Sequence, residues 1–76
     1  MEYVCYCKTV AQCYGMMHQF LTENKLSASC ARTSLIPYRV DLPDGQVVWF
    51  VPEALWARWY KGRHNIAVIY GTPPVV

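Results

Sequence analysis

The sequence predicts an α+β domain of the ferredoxin-like βαββαβ type, with an antiparallel sheet and two helices on one face. Three observations lead there. Apolar, β-branched and aromatic runs occur at Glu2–Cys7, Gln46–Val51 and Ile66–Tyr70, with a further stretch of β-formers before the second of them. Between the first run and that stretch, Val10, Cys13, Tyr14, Met17, Phe20 and Leu21 recur at intervals of three and four. After Pro52, Leu55 with Trp59 and Trp56 with Tyr60 repeat the helical spacing. The order is strand, helix, strand, strand, helix, strand, which is the split βαβ arrangement.

Glu2–Cys7 alternates poorly, so its strand is expected inside the sheet, with Val4 and Tyr6 on one face and Tyr3, Cys5 and Cys7 on the other. Thr9 followed three residues later by Gln12 is a capping box, in which the hydroxyl accepts from an unpaired amide and the glutamine reaches back. A helix therefore starts at Val10. Asn24 and Lys25 suit its end, and Leu26 folds back on the last turn.

From Cys30 to Leu42 the expectation is one bent edge strand, because Tyr38, Val40 and Leu42 alternate with Arg39 and Asp41 while Pro37 cannot donate to a ladder. Pro43-Asp44-Gly45 makes the hairpin turn into Gln46–Val51. Pro52 ends that strand and opens a short helix, with Glu53 at its positive end and Gly62 as its stop. Ile66–Tyr70 reads as a last interior strand. Residues 1–71 make one domain, and 72–76, with two prolines, an extended tail.

Hydrophobic residues make up 54% and charged residues 16% of these 76 residues. An average soluble domain carries about 25% charged residues, so this surface is short of charge. A body of this size cannot hide so much apolar material, and exposed apolar patches mark contacts with partners. A homodimer is the simplest such contact. The net charge of +2 is too small to indicate nucleic acid by itself, although Arg58, Lys61 and Arg63 gather beside His64 as a basic corner. No signal-peptide pattern opens the chain and no apolar run approaches about eighteen residues, so a cytoplasmic protein without a membrane segment is expected, its four cysteines reduced.

No chemistry-bearing motif is complete. Cys5-x-Cys7 with Cys13 or His18 lacks the knuckle spacing of a zinc site, so no metal is assigned. Lys8-Thr9 has no glycines before it to wrap a phosphate, and neither His18 nor His64 stands in a nucleophile pattern. The expectation is a protein with no enzymatic activity and no cofactor. Trp, Tyr and Arg dominate interface energetics, and the segment after Pro52 is rich in them. Trp59 and Leu55 are assigned to the core, while Trp56, Arg58, Tyr60, Lys61 and Arg63 are the candidate contacts with a larger protein, the chain serving as an inhibitor or adaptor. The alternative is single-stranded RNA, bound by aromatics on a bare sheet face and by the basic corner. Against it, the Gly-aromatic-Gly/Ala-aromatic order of the RNA-recognition module is missing from Gly45 to Val51.

Overall fold

The computed structural model describes residues 1–63 and 65–73. Five strands, β1 (Glu2–Cys7), β2 (Ala31–Arg32), β3 (Tyr38–Asp41), β4 (Val47–Pro52) and β5 (Ile66–Tyr70), form one sheet in the order β2-β3-β4-β1-β5. β1 runs parallel to both β4 and β5, whereas β2–β3 and β3–β4 are antiparallel pairs. The sheet is mixed. Its helices, α1 (Val10–Glu23) and α2 (Trp56–Tyr60), cover opposite faces: Cys13, Met17 and Leu21 of α1 pack on Cys5, Cys7, Val40, Val48 and Phe50, and Trp59 of α2 packs on Val4, Tyr6 and Val51. The antiparallel ferredoxin-like sheet with both helices on one face is therefore not what this chain forms.

The cause is one reversal. The expected bent strand from Cys30 to Leu42 is instead two strands, β2 and β3, joined by a turn back through residues 33–37 ahead of Pro37. Arg32 pairs with Arg39 and Ala31 with Val40 across it. That extra reversal turns the following β3–β4 hairpin end for end, so β4 and then β5 run with β1. Two parallel crossovers result, β1 to β2 through α1 and β4 to β5 through α2, travelling toward opposite edges of the sheet. Crossovers of one hand that travel in opposite directions lie on opposite faces.

Local signals act as the residue types require. Thr9 Oγ1 accepts from the Gln12 amide at 3.1 Å, and Gln12 Oε1 accepts from the Lys8 amide at 2.6 Å, one residue earlier than in the usual box. At the other end Lys25 adopts a positive φ of 54°, its amide donates to Thr22, and the Leu26 amide donates to Leu21 at 2.8 Å, a Schellman closure with Leu26 packed on the core. Gly45, at φ 89°, closes the β3–β4 hairpin with its amide on the Leu42 carbonyl. After Pro52 a single 3-10 turn (Glu53–Leu55) precedes α2. No helix among the described residues is long and apolar enough to cross a membrane. Of the tail expected from Thr72, residues 74–76 lie outside the described residues, as does His64.

Candidate protein-binding surfaces

Of the five candidate contact residues, Trp56, Arg58 and Tyr60 lie on α2 and Lys61 and Arg63 follow it, and they differ in exposure. Trp56 is half-buried, its indole Nε1 donating to the Val51 carbonyl at 2.9 Å and its ring meeting Tyr6 edge-on, while Tyr60 packs against the same cluster. Arg58 and Lys61 are exposed. Arg63 is half-buried because its guanidinium lies over two rings, 4.5 Å from the centroid of Trp59 and 5.0 Å from that of Trp49. Trp59 and Leu55 belong to the core cluster beneath.

Beyond the edge of α2, the strands carry more of this surface than α2 does. Arg32 on β2, Arg39 on β3 and Trp49 on β4 are register partners and form one row across the sheet. Asp41 accepts from Nε of Arg32 at 2.6 Å and from Nε of Arg39 at 2.8 Å. These guanidinium groups, Arg32 first, hold the Asp41 carboxyl below the ordinary carboxylate range. Arg39 also lies over the Trp49 ring at 5.6 Å, and Trp49 Nε1 donates to Glu2 at 2.7 Å. Above the row a cleft of about 280 Å³ opens between Arg32, Ser34, Leu35, Pro37, Arg39 and Trp49.

A second surface lies at the far edge. β5 pairs only with β1, and Val68, Ile69 and Tyr70 are 39%, 51% and 48% exposed. A register shift between Val4 and Cys5 takes Ile69 out of the ladder. Ile69 and Tyr70 both line a groove of about 320 Å³ whose floor is Cys5 and Phe50 and whose opposite wall is Met16 and Phe20 of α1. Gln19 and Glu23, hydrogen-bonded to each other, rim it. The sequence reading made Ile66–Tyr70 an interior strand, yet it is an edge.

The aromatic residues expected on a bare face are divided between two covered ones. Tyr3, Tyr38 and Phe50 pack on the α1 side, and Tyr6 and Trp49 on the α2 side. Arg32, Arg39 and Leu35 were not singled out from the sequence, although the alternation of Tyr38 and Val40 with Arg39 and Asp41 already put Arg39 and Asp41 on one face. Three thiols are buried, and Cys30 is partly so. Burial pushes the Cys5 thiol up to about 12, and the hydrogen bond to Cys7, with burial, pushes Cys13 up as well. Among the described residues no three His, Cys, Asp or Glu side chains are grouped to hold a metal ion. No family model matches this chain, and no curated protein or solved structure matches it either.

Proposed function

We propose that this chain is a small non-enzymatic protein-binding module that acts without a cofactor, as an adaptor, and that works in the cytoplasm. One observation carries the reading: β5 is an edge strand of five residues, Ile66-Ala67-Val68-Ile69-Tyr70, with no charge and no proline, no second strand beside it among the described residues, and an apolar groove alongside. Edge strands of that kind are ordinarily blunted by lysine, proline or a covering loop, because their free amides and carbonyls template pairing with another chain. Left open on the outer side, β5 accepts a strand from a partner, whose side chains on one face enter the groove. A second copy supplies such a strand most simply, giving a homodimer about a two-fold axis normal to the sheet; a larger protein supplies it otherwise. Four unpaired thiols suit a reducing compartment.

The nucleic-acid alternative has less support, since its rings are already occupied: Arg39 and Arg63 lie over Trp49, Arg63 over Trp59, and Lys8 over Trp56. A base needs a free ring to stack on. Sedimentation of the purified chain, and affinity capture from its host, compare the native sequence with Val68→Lys. Val68→Lys is expected to abolish self-association, or the captured partner, while leaving thermal unfolding unchanged. Association and capture that both survive Val68→Lys would exclude the β5 edge.

A further inference from the structure

We infer that the opposite side of the sheet is a second docking site, one that takes an acidic segment of a partner protein: an apolar side chain of the segment enters the cleft between Leu35, Pro37 and Trp49, and its carboxylates meet Arg32 and Arg39. The site shares the protein-binding reading with β5 but stands at the other end of the strand order, so loss of one surface leaves the other intact.

Charge selects the occupant. Six of the seven cationic residues, Lys8, Arg32, Arg39, Arg58, Lys61 and Arg63, and three of the five acidic ones, Glu2, Asp41 and Glu53, lie on the sheet face that α2 covers or on α2 and its flanks, so this side carries +3 and the remainder −1 of the net +2. A surface of one sign recognises the opposite sign and steers its approach. The guanidinium groups are also positioned in advance. Asp41 takes Nε of Arg32 and both Nε and Nη2 of Arg39, which holds the two guanidinium groups side by side and leaves the Nη groups of Arg32 without a hydrogen-bond partner among the described residues. Arg63 and Arg39 are steadied by the Trp49 ring.

The apolar half of the site is as distinct. Leu35, 79% exposed, and Ile36, 45% exposed, stand on the connection between β2 and β3, where no helix covers them. An exposed leucine beside two arginines and a tryptophan gives the mixture of anchor and polar rim found in protein interfaces. A nucleic acid fits less well, because Arg39 and Arg63 already lie over the Trp49 ring on which a base would stack, whereas a peptide needs only the apolar cleft and the guanidinium groups.

The test is fluorescence anisotropy with a labelled short peptide of glutamates around one phenylalanine, a control with lysines replacing the glutamates, and a labelled oligothymidylate. The acidic peptide should bind and the lysine control should not. Leu35→Asp, and separately Arg32→Glu with Arg39→Glu, should each weaken binding about tenfold or more. Leu35 is too exposed for its replacement to disturb folding, so its result stands even where the arginine variant unfolds. No binding by the native chain, binding unchanged in Leu35→Asp, or tighter binding of the oligothymidylate with a steep loss in salt would overturn the assignment.

Discussion

Tyr6 of β1 and Trp59 of α2 meet edge to face, their centroids 6.3 Å apart at 80°, and each buries a polar atom with no partner among the described residues, the phenol oxygen of Tyr6 and the indole Nε1 of Trp59. Between the two rings the contact is one of shape and dispersion, with no hydrogen bond. Trp59→Ala should therefore cost about 3–5 kcal/mol, the range for emptying a buried aromatic site. Tyr6→Phe should do the reverse, leaving stability unchanged or raising it by about 1 kcal/mol, because it deletes an unsatisfied hydroxyl and keeps the ring. Urea denaturation of both variants measures this. A loss of more than about 1 kcal/mol in Tyr6→Phe would mean that the hydroxyl has a partner after all.

Gly71 closes β5 against β1. It sits at φ 83°, and a Cβ there would stand 2.6 Å from the Tyr6 carbonyl oxygen and 2.8 Å from the Tyr6 Cβ. Both atoms belong to β1, an interior strand, and cannot yield, and an L side chain resists that φ as well. Gly71→Ala should lower stability by about 1–3 kcal/mol and speed hydrogen exchange in β5 ahead of the other strands. Gly15→Ala is the matched control, since a Cβ on that exposed face of α1 meets nothing within 4 Å. It should raise stability by up to about 1 kcal/mol.

The reach of the sequence follows from the range of the interactions concerned. Thr9 with Gln12, Leu26 after Lys25, and Gly45 after Pro43 act on neighbours a few residues away, and all were legible. So was the division of β1, Val4 and Tyr6 against Cys5 and Cys7, because alternation is a property of any strand. Topology turned instead on five residues, 33–37, where the chain reverses ahead of Pro37. Proline there is compatible with a bent edge strand as much as with a reversal, and only pairing partners remote in sequence decide between them. Every later strand direction hung on that choice, and with it the face that α2 covers. The candidate site shared this fate: Arg58, Lys61 and Arg63 lie near one another in sequence, whereas Arg32 and Arg39 join Trp49 only through strand register.

Thiol reactivity follows burial. Cys5, Cys7 and Cys13 are 3% or less exposed, and Cys30, just before β2, is the partly open one. Cys5 is raised to about 12 and Cys13 is raised too, so neither offers appreciable thiolate near neutral pH, while Cys7, lowered by its hydrogen bond with Cys13, is fully enclosed and closed to reagents. At pH 8, reaction with a disulfide reagent should consume one thiol per chain quickly and the other three only as the chain unfolds. Replacing Cys30 by serine should remove the fast phase. Four fast thiols would contradict the packing of α1 on the sheet.

Asp41 makes the basic side sensitive to acid. Its carboxyl is lowered in the folded chain by Arg32 first and then Arg39, against an unfolded value of about 3.9. The stabilising contribution is therefore complete above that unfolded value and is lost as pH falls through the lower folded one. Arg32→Ala with Arg39→Ala should lower stability near neutral pH, and the difference from the native chain should shrink as pH falls below the unfolded carboxylate value. Asp44 supplies the internal reference, because its carboxyl is lowered mainly by the backbone amide of Gln46 and should keep its shift in the arginine variant. Carboxyl titration by NMR distinguishes the two. An Asp41 titration unmoved by loss of both arginines would show that the row Arg32–Arg39–Trp49 is not held by Asp41, and would remove the preset geometry on which docking of an acidic segment depends.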